Sequence, residues 1–130
     1  MAKKMSDDTN ALNWFEIPVT DISRAVKFYE TVFDISMELS NPPGFKMAIF
    51  PHAHLGKVGG ALVKSGFHKP STTGVVIYLN ANPDLQLVLD RVESAGGKVL
   101  HQKALISKEV GYFGLILDTE GNSIALHSTD

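Results

Sequence analysis

The chain has 130 residues, 44% of them hydrophobic and 20% charged, with a formal net charge of −2 and no cysteine. That length suits one compact domain or two half-domains sharing a core, and the missing cysteine excludes disulfides, thiolate nucleophiles and thiolate metal sites. Apart from Lys3-Lys4, Lys and Arg (12) are scattered singly and outnumbered by Asp and Glu (14), so no basic stripe is present to neutralise a nucleic-acid backbone.

Residues 1–10, MAKKMSDDTN, are polar and expected to be disordered. They lack the apolar centre of a secretory signal, and no apolar run in the chain approaches the ~18 residues of a membrane span, so cytoplasmic residence without nucleic-acid or membrane partners is expected. Leu12 to Thr20 reads as a strand. Phe15, Ile17 and Val19 form its more apolar row and should lie under a helix, leaving Trp14, Glu16 and Pro18 on the other face. Asp21 is placed to cap ISRAVKFYETVF, where Ile22, Ala25, Val26, Tyr29 and Val32 recur at the spacing of one helix face. The strand-like segments DISMELS, FKMAIFP and GGALVKS follow, broken by NPPG and PHAHLGKVGG.

A second copy begins near Gly74. In GVVIYLNANPD, Val75, Ile77 and Leu79 should face a helix and Val76, Tyr78 and Asn80 the open side. In that helix, Leu85, Val88, Leu89, Val92 and Ala95 each stand 63 positions after Ile22, Ala25, Val26, Tyr29 and Val32. Asn82 is the expected cap, Pro83 the first helical residue, and Gly96-Gly97 the stop. KVLHQKAL, YFGLILD and NSIALHS read as strands, with DTEGN as a turn. A long period occurring twice indicates two copies of one small module rather than a repeat array. The fold is therefore read as α+β, with βαβββ modules at 11–66 and 73–130 joined by a linker at 67–72 within one structural domain. Each module has one helix outside a four-stranded sheet and needs a partner for its open face. Trp, Tyr, Asn and Glu on those faces suit a cleft for a small organic molecule.

The combination PVTDISRAVKFYETVFDI, a second strand–helix unit ending AGGKV, and GYFGLILDTEGNSIALHS resembles the vicinal oxygen chelate superfamily, which includes glyoxalase I, bleomycin-resistance proteins and extradiol dioxygenases. The resemblance covers residues 11 to 128. It implies a curved eight-stranded sheet or half-barrel around a central cleft. In the metal-using members it implies four His, Glu or Gln ligands from the first and fourth strands of each module. Those positions fall here on Trp14, Ala61, Val76 (or Val75) and Ala125, none of which can ligate a divalent ion. No cofactor is expected, and metal-dependent activities of the group are not.

The expected ligand-binding set is Trp14, Glu16, Phe50, Val76, Tyr78, Asn80, Tyr112, Ala125 and His127. Core packing is an equal alternative for the aromatic members. Glu16 and His127 form the expected acid/base pair, or two ligands of a displaced metal; the plainer reading leaves Glu16 bonded to backbone or water at the cleft mouth. His52 and His54 read as a solvated turn, and His68 and His101 as isolated surface residues. GKVGG lacks the spacing of a phosphate loop, and no nucleophile elbow is present. The function read from the sequence is metal-free binding of a small molecule, in the manner of bleomycin-resistance proteins. The alternative is a glyoxalase-like lyase or isomerase using Glu16 with His127. Exposed sheet edges make a homodimer the expected assembly.

Overall fold

The computed structural model describes residues 2–52 and 57–130. The elements run β1 (Trp14–Pro18), α1 (Ile22–Phe33), β2 (Glu38–Ser40), β3 (Lys46–Ile49), β4 (Gly59–Lys64), β5 (Tyr78–Asn80), α2 (Leu85–Val92), β6 (Lys98–Ser107), β7 (Gly111–Leu117) and β8 (Ser123–Ser128). The strands form two four-stranded sheets in the same order, β1-β4-β3-β2 and β5-β8-β7-β6, with the first pair parallel and the others antiparallel. The expected tandem βαβββ architecture is present. Its eight strands form two separate hydrogen-bonded ladders rather than one continuous sheet. No helix among the described residues is long and apolar enough to cross a membrane.

Local sequence accounts for both helices. Asp21 caps α1, its carboxylate accepting from the Arg24 N–H at 3.0 Å. The helix buries Ala25, Phe28, Tyr29 and Val32. In α2 the buried face is Leu85, Val88, Leu89 and Val92, four of the five residues expected from periodicity; the fifth, Ala95, lies beyond the last helical residue and is half-buried. The cap, however, is Asp84, which accepts from the Gln86 N–H at 2.9 Å, so the helix starts two residues later than Asn82-Pro83 suggests. Asn82 instead accepts from the Thr129 N–H at 2.8 Å and holds the end of the chain. Gly96 takes the left-handed conformation (φ 103) just past the helix. Ile17 in β1 and Val19 just beyond it are buried as their alternation requires. Val75 departs from expectation at 93% exposed, because regular pairing in the second module begins only at Tyr78.

The turn Asp118 to Asn122 joins the modules. Asp118 Oδ1 accepts from the Glu120 and Asn122 N–H groups (2.8 and 2.9 Å), and its Oδ2 accepts from the Tyr29 hydroxyl at 2.7 Å. Asn122 Nδ2 donates to the Pro18 carbonyl (2.7 Å), and its Oδ1 accepts from the Ser71 N–H (3.1 Å). Glu120 Oε1 accepts from the N–H groups of Thr20 and Asp21 (2.9 and 2.8 Å), and Oε2 from Arg24 Nε at 2.7 Å. Burial alone would push the Glu120 carboxyl up. Arg24, the two backbone donors and the Thr119 hydroxyl outweigh it and hold the group down at about 2. Each acceptor at this seam thus has a charged, amide or hydroxyl donor, as a polar group removed from water requires.

Candidate functional site

Glu16 lies on the face of β1 turned away from α1, and two-residue periodicity puts Trp14 on the same face. Trp14 Nε1–H donates to Glu16 Oε2 at 3.2 Å. The other carboxylate oxygen, Oε1, lies 2.8 Å from His68 Nε2. A carboxylate can only accept, so Nε2 carries the proton. In the neutral ring Nδ1 is then an acceptor, and it faces the Ser65 hydroxyl at 2.6 Å. The His68 side chain is only 10% exposed. Phe67 packs against its ring at 4.6 Å between centroids, and Phe45 meets it edge-on at 6.3 Å. His68 is therefore neither isolated nor a surface residue. The spacing Ser65-Gly-Phe-His68 around a tight turn is the one sequence signal that hinted at its placement; Glu16, 52 positions away, gave none.

Glu16 also borders a cleft of about 240 Å³ at the module seam, with Ile17, Lys69, Ser71, Thr73, Ile77 and Ile124 among its lining. Apart from Trp14, the other expected site residues lie elsewhere. Tyr78, Asn80 and His127 share a more open depression of about 440 Å³ with Ile106 and Val110. Phe50 lines a third, of about 290 Å³, which also reaches Asn80. His127 Nε2 donates to the Val110 carbonyl at 2.7 Å, so Glu16 and His127 each bond to a different partner. The Tyr112 ring lies under Lys103 Nζ at 4.4 Å. Ala125 is fully buried, Val76 is exposed, and Trp14 is 38% exposed, with its ring edge-on to His52 at 6.0 Å. His54 and Gly56, the remainder of the PHAH and GKVGG readings, lie outside the described residues. The His101 ring stacks on Phe113 at 4.9 Å.

The sequence profile of the glyoxalase/bleomycin resistance protein/dioxygenase superfamily matches residues 11–126. The chain belongs to that superfamily. A glyoxylase-like domain-containing protein from Didymella fabae is 31% identical over 120 residues, spanning 88% of this chain and 91% of that one. Solved structures share the fold, two of them as follows. Glyoxalase I from Zea mays superposes with a TM-score of 0.67 at 19% identity, over 89% of this chain and 45% of the maize chain. A glyoxalase/bleomycin resistance protein from Streptomyces sp. CB03234 does so with a TM-score of 0.66 at 18% identity, over 91% of this chain and all of the other. This member of the superfamily spans less than half of the maize enzyme.

The metal implied by the superfamily can be tested against the residues this member carries. Ala61 sits opposite Glu16 in the β1–β4 register, and Ala125 opposite Tyr78 in the β5–β8 register. Methyl, isopropyl and indole groups at Ala61, Ala125, Val76 and Trp14 offer no lone pair suited to a divalent ion. Among the described residues, no three His, Cys, Asp or Glu side chains gather closely enough to hold one. Glu16 and His68 supply two donors, already bonded to each other. These residues do not fit the metal.

Proposed function

We propose that this protein reversibly binds a small amphipathic organic molecule in the cleft between its modules, without a metal. The supporting observation is the mixed lining of the seam cleft. Ile17, Ile77 and Ile124 give it an apolar floor, while Glu16, Lys69, Ser71 and Thr73 supply a carboxylate, an ammonium and two hydroxyls around it. A few convergent polar groups over an apolar surface are what orient a small ligand. Glu16 is held in place by Trp14 and His68 before any ligand arrives, which lowers the entropy cost of binding. Sequestration of such a molecule is the role this reading assigns to the protein, and the bleomycin-resistance name carried by part of the superfamily is in keeping with it. Exposed Val75, Val76 and Tyr78 form an apolar surface that a second copy would cover in a homodimer.

A second reading of the same cleft is acid/base catalysis by Glu16, with His68 in the orienting place expected of His127. The two readings separate in one experiment. A thermal-shift screen of metabolites and antibiotics in the presence of EDTA should yield a ligand that raises the melting temperature. At a hundred times its Kd such a ligand adds about 2.7 kcal/mol of stability. Thr73→Trp, which fills the cleft from its exposed rim, should weaken that ligand at least tenfold, and Glu16→Gln should change its affinity. Turnover abolished by Glu16→Gln with affinity intact would favour the enzyme. A ligand whose affinity ignores Thr73→Trp would refute this location.

A further inference from the structure

We propose that Ser65 is an activated nucleophile, and that Ser65, His68 and Glu16 together form an acyl-transfer centre hydrolysing small carboxylic esters. Ser65 is the first residue after β4, at the start of the turn leading to His68. Its Oγ accepts from the backbone N–H groups of Phe67 (3.2 Å) and His68 (3.3 Å). With its oxygen so occupied, its single hydrogen points to His68 Nδ1, 2.6 Å away. Glu16 fixes that proton arrangement, because its carboxylate 2.8 Å from Nε2 keeps the ring proton on that side and leaves Nδ1 basic. Nucleophile, base and orienting carboxylate thus stand in one hydrogen-bonded line, which is the geometry that makes a serine hydroxyl reactive.

The two backbone donors fix the position of Oγ beside Nδ1. The walls of the site select for an apolar acyl group. Phe67 is 72% exposed and meets Phe45 edge-on at 5.9 Å, forming an aromatic rim beside the hydroxyl. In the first step, Oγ bonds to the ester carbonyl carbon and its proton passes to Nδ1. The tetrahedral adduct then breaks its bond to the leaving alkoxide, which takes that proton. Water repeats the sequence on the acyl-serine and releases the acid. Ester and water become acid and alcohol, with no change of oxidation state. Ser65 and His68 are the catalytic residues and Glu16 is a positioning residue. The proposal does not require a ligand in the seam cleft: Glu16 borders that cleft, but the reacting residues Ser65 and His68 do not.

The test is to treat the purified protein with an aryl fluorophosphonate and map the adduct by mass spectrometry, alongside hydrolysis of p-nitrophenyl acetate. A single adduct on Ser65 is expected, with hydrolysis falling about 100-fold in Ser65→Ala and His68→Gln. Glu16→Gln should lower kcat about tenfold at unchanged KM, with partial rescue by Glu16→Asp. Because the chain has no cysteine, Ser65→Cys gives a second readout that does not depend on turnover. Its thiol should react with iodoacetamide about tenfold faster than in the urea-unfolded protein, and lose that advantage when His68→Gln is added. Wild-type protein that takes no label at Ser65, or a Ser65→Cys thiol no faster than the unfolded one, overturns the proposal.

Discussion

Replacing Glu120 with Gln tests how the modules are held together. A carboxyl held at about 2 instead of 4.5 favours its charged form by up to ~3 kcal/mol, at about 1.4 kcal/mol per tenfold. Arg24 is half exposed, and the surrounding water screens the pair, so the expected loss is roughly 2 kcal/mol. The amide keeps one oxygen for the Thr20 and Asp21 N–H groups, but it turns an N–H₂ towards Arg24 Nε, donor against donor. The sign of the pH dependence follows from the direction of the shift. A depressed carboxyl contributes fully above its unfolded value near 4.5, and the contribution fades as the pH falls through about 2. Urea unfolding of wild type and Glu120→Gln should therefore differ by about 2 kcal/mol at pH 7, shrinking to about a quarter of that at pH 2.5. A gap below about 0.5 kcal/mol at pH 7, or one that stays constant down to pH 2.5, would refute the reasoning.

Two further substitutions probe the same seam. Tyr29→Phe removes a fully buried hydroxyl from Asp118, whose other donors remain, and should cost about 1–2 kcal/mol in thermal unfolding; unchanged stability would show that the bond contributes nothing. Gly97→Ala places a methyl 2.5 Å from the Leu117 carbonyl oxygen and 2.7 Å from the Phe28 ring. It should cost about 1–3 kcal/mol, because a backbone oxygen has little room to yield. A neutral result would mean that the strand and helix move apart freely.

Periodicity made the helix faces legible, and strand alternation placed Ile17 and Val19 inward correctly. Both signals are local. Phe28 falls outside the 63-residue match, yet it is buried, because α1 presses its far flank against Gly97 of the second module. No one-helix pattern contains that contact. Val75 misled for the converse reason. It alternates correctly with Ile77 and Leu79, but β8 offers a regular register only from Ala125, opposite Tyr78, so the strand ends before reaching it. Asn82 and Asp84 are both capable caps, and the choice between them was settled by Thr129, which engages Asn82 from the far end of the chain. The site was the least legible part. The partner of Glu16 comes from the linker, where composition reads only as turn and solvent.

The bridging turn at 118–122 makes the duplication unequal. Its acids come only from the second half, and most of the groups that meet them, from Thr20 to Tyr29, come from the first. The corresponding hairpin connection in the first half, FPHAHLGKV, contains no Asp or Glu. Two first halves joined together could not make this clasp. The halves have become lock and key, so neither can replace the other, and descent from a self-pairing ancestor would have required one copy to gain carboxylates that the other never acquired or later lost.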